Sequence, residues 1–151
     1  MKERYMIKCA VFLILTKYEN NQEYVLLQKR QNTGIIDGEY DVSCTGHLEV
    51  NESLTEAMVR ETKEELGIII KSEDLKFVNL MHAKYQKSDY IQVCYSTDKF
   101  EGVPKIMEPN KCSDLSWFKI GDLPKDLSDT RRMMIESYLN NNNYTEYGFD
   151  K

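Results

Sequence analysis

The chain has 151 residues, of which 41% are hydrophobic and 30% charged, as expected for a soluble globular protein with one hydrophobic core. The net charge is −5 and the basic residues are scattered, which argues against a surface that binds duplex nucleic acid, because phosphate contacts need grouped lysine and arginine. No run of about 18 apolar residues occurs. The sequence therefore predicts a cytoplasmic protein with a single domain over residues 1–151 and no membrane contact.

The first apolar segment, CAVFLIL at residues 9–15, follows basic residues in the way that a secretory signal does. It is too short and has no small-residue cleavage site, so a buried strand explains it better. Strands are predicted over residues 5–16 and 24–29, which are rich in Val, Ile, Leu and Tyr and flank a polar turn.

The four cysteines show no paired spacing. Cys44 and His47 are half of a zinc pattern, but no second close Cys/His pair follows them. The sequence therefore predicts reduced thiols, as is usual in a cytosolic protein.

The stretch 46–68 combines a glycine turn with a short acidic helix. A short strand over residues 41–45 ends at Gly46, and Ser53-Leu54-Thr55-Glu56 has the form of a capping box, so a helix should begin near residue 52 or 53 and end at Gly67. The acids on this helix are three or four residues apart and share an arc of about 100°. Because like charges at such spacing repel, a hard divalent cation is their expected partner. The acids are Glu61, Glu64 and Glu65, and the packing face comprises Leu54, Met58, Val59, Thr62 and Leu66.

The remaining elements follow from alternation and turn residues. Two strands are predicted over residues 75–85 and 90–96 around a polar hairpin turn, a short strand over 115–118, and a last helix over 128–139. The asparagine-rich segment 140–151 carries no motif, and we expect it to be partly disordered or to pack as a lid.

The acidic stretch resembles a known family motif. Gly46, five residues, Glu52, seven residues and then Arg60-Glu61-x-x-Glu64-Glu65-x-Gly67-Ile68 is similar to the Nudix box of MutT-like pyrophosphohydrolases. Every charged and glycine position matches, and the one departure is Thr62, where the pattern most often has a bulky aliphatic residue. With the segment 108–124, the resemblance spans most of residues 5–140. It implies an α+β fold, an α/β/α sandwich around a central mixed β-sheet.

The resemblance also implies a site for Mg²⁺, for which Mn²⁺ can substitute. The implied metal ligands are the Gly46 carbonyl, Glu61, Glu64, Glu65 and a downstream acid, for which Glu108 is preferred over Asp114. Arg60 orients the acids with support from Glu52 and Gly67, and either Glu61 or, second, Glu64 accepts the proton of the attacking water. A basic residue at Lys29 or Arg30 meets substrate phosphate, although a solvated strand end explains these two nearly as well. Tyr85 and Trp117 are further substrate-contacting candidates, and Tyr40, His82, Tyr90 and the last helix are further candidates for the pocket wall.

The function implied is hydrolysis of nucleoside triphosphates, canonical or oxidised, to a monophosphate and pyrophosphate. Diadenosine polyphosphates are the second substrate class, because Tyr85 lies near where those hydrolases have a tyrosine. ADP-ribose is less favoured, since the proline expected after the box is missing. A catalytically weak nucleotide sensor is the alternative from another class, but such domains typically lose box acids. The sequence leaves the base preference and a homodimer open.

Overall fold

The computed structural model describes residues 2–150, which form strands, two helices and one short 3₁₀ turn at Ser72–Asp74. The helices are α1, Leu54–Leu66, and α2, Asp129–Asn140. The strands are β1 Lys8–Glu19, β2 Gln22–Arg30, β3 Tyr40–Asp41, β4 Cys44–His47, β5 Lys76–Lys84, β6 Asp89–Thr97, β7 Cys112–Lys119 and β8 Tyr144–Tyr147.

The strands join in the order β3-β2-β1-β6-β5-β8, with β4 paired to β1 and β7 paired to β2. The pairs β1/β6 and β5/β8 are parallel and the others antiparallel, so the sheet is mixed and the predicted α+β class is confirmed. The long strand β1 divides its length between partners. Residues 8–15 pair with β6, and residues 16–19 pair with β2.

The apolar run in β1 is buried on both of its faces, which explains why it does not alternate with polar residues. Successive side chains of a strand point to opposite faces, and two separate cores result. Ala10, Phe12 and Ile14 pack in a core with Met134 and Ile135 of α2. The core on the other face contains Val11, Leu13, Leu15 and, from α1, Ala57, Met58 and Leu66. The two helices therefore cover opposite sides of β1.

The ends of α1 are those predicted from its sequence. Ser53 accepts a hydrogen bond from the backbone N–H of Glu56, whose side chain accepts from the N–H of Ser53, so the capping box is confirmed. Gly67 ends the helix in the left-handed conformation, with φ of 68°. Thr62 is fully buried, and its hydroxyl donates to the carbonyl of Met58 at 2.6 Å. This bond explains how a polar residue is accommodated at a position that favours an aliphatic one.

The C-terminal segment differs from the prediction, because residues 144–147 form β8 at the sheet edge. The segment is held before that strand by the Asn79 amide, which donates to the carbonyl of Asn142 at 2.9 Å, and by the N–H of Leu80, which donates to the carbonyl of Asn143. The sequence predicted a tail that is partly disordered or packs as a lid, and it missed the strand because parallel pairing to β5 leaves no local signal. Residue 151 lies outside the described residues. Neither helix within residues 2–150 has the length and apolar character needed to cross a membrane.

Candidate functional site

A cavity of about 820 Å³ is lined by residues of β1, β2, β4, β6, β7, β8, α1 and the start of α2, together with several loops. This volume is within the range typical of small-molecule sites, roughly 300–1,000 Å³. We call its two parts the acidic end, formed by Gly46, Glu61 and Glu65, and the polar end, formed by Gln28, Tyr85, Gln92, Thr130 and Arg131.

At the acidic end helix α1 lies directly against strand β4. Gly46 is inside this strand and pairs with Val11 of β1, so the turn predicted at Gly46 is wrong. A Cβ atom built on Gly46 would lie 2.2 Å from the Glu61 Cγ and Cδ atoms. Only glycine allows Glu61 to pack over the backbone here. The Glu61 side chain thus packs on the backbone of β4, whose carbonyl groups are hard oxygen donors.

Glu65 lies beside Glu61, one helical turn away, and its charge is disfavoured in the folded chain. Burial, followed by the repulsion of Glu61, raises the pKa of Glu65 to about 8. The Cys44 thiol donates to the Glu65 carboxylate at 3.4 Å. A cation between the two carboxylates would relieve the repulsion, and two carboxylates with a backbone carbonyl are oxygen donors of the kind that Mg²⁺ binds. The residues at this end therefore fit a hard divalent ion.

Arg60 forms ion pairs with several acids around this site. Its Nε and Nη2 donate to the two carboxylate oxygens of Glu52 at 2.6 and 3.0 Å, the predicted support pair. Its Nη1 donates to Glu61 at 2.8 Å and to Glu64 at 3.2 Å. The hydrogen bond with Glu52 raises the pKa of Arg60. Arg60 is absent from the cavity wall, so its reach toward the cavity is through the Glu61 carboxylate that it holds.

Glu64 is not brought together with the other two acids. Its side chain is 57% exposed and bonded to Arg60, and nowhere in residues 2–150 do three His, Cys, Asp or Glu side chains converge on one point. The reason is helical geometry: relative to Glu61, Glu65 is rotated by about 40° and Glu64 by about 60° in the opposite sense. Glu64 therefore lies at one edge of the arc that the three acids share, at the rim of the cavity.

The two candidate downstream acids have different surroundings. Glu108 lines the cavity and pairs with Lys111 at 3.5 Å. Asp114 is outside the cavity wall and accepts hydrogen bonds from Tyr40 at 2.5 Å and Ser116 at 2.8 Å, which lower its pKa. Of the two, only Glu108 is placed where a cavity ligand could reach it.

Lys29 and Arg30, the two basic candidates, have different surroundings because neighbouring residues on a strand point to opposite faces. Arg30 lines the cavity, and its Nη1 donates to the Thr45 hydroxyl at 3.3 Å. Its Nε is buried without a partner in the described part of the chain. Lys29, by contrast, pairs with Asp126 at 2.9 Å and lies over the Tyr40 ring. The prediction of a phosphate contact at Lys29 therefore does not match its position, whereas Arg30 presents an unsatisfied donor at the cavity.

The predicted aromatic wall is only partly present. Tyr85 and Tyr90 line the cavity, but Tyr40, His82 and Trp117 do not. Trp117 stacks on Phe100 with the ring centroids 6.4 Å apart, so its contact with substrate stays a prediction without support from the cavity wall. His82 packs against Phe149. These aromatics are held by partners that lie outside the cavity.

Sequence reasoning named Tyr85 and the last helix as candidates for the polar end of the cavity but missed the individual polar residues Gln28, Gln92 and Arg131. Arg131 of α2 is 5% exposed and pairs with the fully buried Asp41 at 2.8 Å. One signal was available, because Arg131 precedes the core residues Met134 and Ile135 by three and four positions and thus shares their buried helix face. Its partner, 90 residues away, had no comparable signal.

Comparison with known proteins gives a consistent family. The NUDIX domain family matches residues 8–138. Isopentenyl-diphosphate Delta-isomerase of Aliivibrio fischeri strain MJ11 is 28% identical over 136 residues, covering 83% of this chain and 72% of the relative. A MutT NUDIX hydrolase from Burkholderia pseudomallei superposes with a TM-score of 0.77 at 22% identity, covering 88% of this chain and 98% of that one. The NUDIX domain of Shewanella oneidensis NrtR, solved with ADP ribose, has a TM-score of 0.74 at 19% identity, with 91% and 90% covered. The two structures show a shared fold.

Proposed function

Because the chain belongs to the NUDIX domain family, we propose that it is a Mg²⁺-dependent hydrolase of nucleoside diphosphate-linked compounds. Nucleoside triphosphates, canonical or oxidised, are its proposed main substrates, with a monophosphate and pyrophosphate as products. The observation that supports this proposal is the position of Glu61 and Glu65 beside Gly46 of β4, in a cavity that Arg30 also lines. A pyrophosphate substrate needs a metal cation and a positive side chain near its phosphates. Glu61 and Glu65 can bind the metal cation, and Arg30 can bind a phosphate.

The metal would be held by Glu61, Glu65 and the Gly46 carbonyl, with Glu108 as a further ligand from the facing loop and Glu64 as a candidate at the rim. When bound, Mg²⁺ or Mn²⁺ neutralises phosphate oxygens and lowers the pKa of a coordinated water. Few protein ligands suffice, since Mg²⁺ usually keeps several waters and takes one or two carboxylates together with substrate phosphates.

The protein's own groups supply orientation and proton transfer. Arg60 holds one Glu61 oxygen through Nη1, which fixes the carboxylate toward the cavity. Glu61 is the first candidate to accept the proton of the attacking water, and Glu64, exposed at the rim, is the second. The buried Nε of Arg30, which lacks a partner in residues 2–150, is the donor we assign to a substrate phosphate.

A second candidate function is allylic isomerisation, because the curated relative at 28% identity is named isopentenyl-diphosphate Delta-isomerase. A prenyl diphosphate has a diphosphate that the acidic end could hold through a metal, but its other part is a short hydrocarbon. The polar end presents Gln28, Gln92 and Arg131 instead of an apolar wall, and covering such groups with hydrocarbon leaves them unpaired, which is costly. The lining therefore favours a nucleotide.

The test is a turnover panel with Mg²⁺ or Mn²⁺ that contains canonical and oxidised nucleoside triphosphates, dinucleoside polyphosphates, ADP-ribose and isopentenyl diphosphate. We expect a nucleoside monophosphate and pyrophosphate, no turnover in excess EDTA, and a kcat about two to four powers of ten lower in Glu65→Gln. Glu73→Gln, on the exposed 3₁₀ turn, is the matched control and should retain parental activity.

Three results would overturn the proposal. Inorganic phosphate as the sole small product would exclude pyrophosphohydrolysis. Conversion of isopentenyl diphosphate alone would establish the second candidate. Tight nucleotide binding without turnover of any compound would establish a sensor.

A further inference from the structure

The polar end of the cavity contains long polar side chains that are almost fully buried and that the proposed hydrolysis does not use. Gln28 is 5% exposed, Gln92 3% and Arg131 5%, and all three line the cavity. Side chains of these types are mostly exposed in proteins unless hydrogen bonds compensate for their burial. The partners that each of them already has determine which atoms are left for a ligand.

Arg131 is held on several sides. Its Nε donates to Asp41 at 2.8 Å, its Nη1 donates to Thr130 at 3.0 Å, and its guanidinium lies 4.7 Å from the centre of the Phe12 ring. Its Nη2 donates to no residue in the described range 2–150. Because a guanidinium has donors and no acceptor, this fixed group can offer a cavity ligand only a donor.

Gln28, in contrast to Arg131, offers a cavity ligand a hydrogen-bond acceptor. Its Nε2 donates to the carbonyls of Val42 at 3.1 Å and Ser43 at 3.4 Å, and two facing carbonyl oxygens require the nitrogen on that side. The amide oxygen, which accepts no hydrogen bond from residues 2–150, is thereby left for the cavity. Gln28 is also the cross-strand partner of Asp41, which accepts a hydrogen bond from Arg131. Gln28 and the Asp41–Arg131 pair therefore lie on the same face of the sheet.

The rings of Tyr85, Tyr90 and Tyr147 line the same cavity as Gln28 and Arg131. Tyr85 lies 5.9 Å from Tyr147 and 6.3 Å from Tyr90, measured between ring centroids. The Tyr85 hydroxyl also accepts from Gln92 at 3.1 Å, so the ring is fixed in place. A flat ligand with one acceptor next to one donor on its edge fits this environment.

We propose that the polar end selects bases in which a carbonyl adjoins a ring N–H, as in hypoxanthine, guanine and uracil, over adenine and cytosine. Arg131 donates to the base carbonyl, and the Gln28 oxygen accepts the ring N–H. Adenine in the same position turns an amino group toward the Arg131 donors and a bare ring nitrogen toward the Gln28 oxygen, so both contacts become repulsive. The base cannot turn over to exchange these atoms, because its phosphates are held at the acidic end; this step rests on the proposed function.

The experiment compares ITP with ATP, which differ only at this edge of the base, and UTP with CTP as a second matched pair. We expect kcat/KM to favour the oxo base by about 10- to 1,000-fold, since sites built around buried hydrogen bonds discriminate strongly. In Gln28→Met, which keeps the volume but removes the acceptor, the ratio should narrow at least severalfold. Gln22→Met, at the exposed start of the same strand, should leave the ratio unchanged.

Binding of IMP and AMP, measured by calorimetry in EDTA, separates this proposal from the proposed function. Equal turnover of ITP and ATP, or a preference for ATP, overturns the base assignment and leaves hydrolysis standing. Absence of turnover with tighter binding of IMP than of AMP overturns hydrolysis and supports the base assignment. Absence of both turnover and preference overturns both.

Discussion

Replacing Glu65 by glutamine should stabilise the metal-free protein, and increasingly so as the pH rises. In the folded chain the pKa of Glu65 is raised from 4.5 to about 8, because the side chain is buried and faces Glu61. The unfolded chain releases its proton near the lower value. A carboxyl group of this kind contributes stability below the unfolded pKa, and that contribution is lost as the pH rises toward the folded pKa.

The size of the effect follows from the two pKa values. Between about pH 5 and pH 7 the unfolded chain has already released the Glu65 proton, whereas the folded chain retains it. Each pH unit over which only the unfolded chain is ionised costs about 1.4 kcal/mol. The parent should therefore lose about 2–3 kcal/mol of unfolding free energy relative to Glu65→Gln across this range, since glutamine carries no proton to lose.

The assay is urea unfolding in EDTA at pH 5, 6 and 7, with the parent, Glu65→Gln and Glu64→Gln. The Glu64 variant is the control for the loss of one carboxylate from the same helix, because that side chain is exposed. The unfolding free energies of the parent and Glu65→Gln should differ by more at pH 7 than at pH 5. The same free-energy gap between parent and Glu65→Gln at pH 5 and pH 7 would show that the Glu65 carboxylate is already ionised in the folded state and would refute the reasoning.

Three further substitutions test other parts of the site. Gly46→Ala should lower kcat/KM by about 100-fold by displacing Glu61. Gly121→Ala is the control and should leave kcat/KM unchanged, because a Cβ there meets nothing within 4 Å. Similar activities of the two variants would contradict the close approach of Glu61 to Gly46. Arg131→Ala should cost about 3–5 kcal/mol in urea unfolding, because Asp41 is left charged and buried, and adding Asp41→Asn should recover part of the loss. Thr62→Val should change the unfolding free energy by no more than about 1 kcal/mol, since it removes one local hydrogen bond; a larger loss would mean that the hydroxyl has another role.

Local features of this protein were predictable from sequence because their causes lie within a few residues. The capping box at Ser53 and the left-handed end at Gly67 define α1 through contacts inside one helical turn. The buried strand β1 follows from its uninterrupted apolar run, and the Glu52–Arg60 pair follows from the spacing of the box.

In contrast, which of the predicted site residues line the cavity depends on the direction in which each side chain points in the packed fold. Glu61 and Glu65 meet in the cavity while Glu64 turns to Arg60, and Arg30 faces the cavity while its neighbour Lys29 faces Asp126. Composition and spacing are alike for the members of these pairs, so only the packing of the sheet against the helix separates them.

The polar end and β8 were decided by tertiary structure alone. Arg131 and Asp41 come together across 90 residues, and β8 adds to the sheet by parallel pairing with β5. The residues next to Arg131, Asp41, β5 or β8 in the sequence give no sign of these pairings. A buried ion pair and a parallel edge strand are stabilised by contacts that exist only in the folded protein. Sequence therefore determines the helix that carries the acids, and the closed fold determines which of those acids, and which distant side chains, share one cavity.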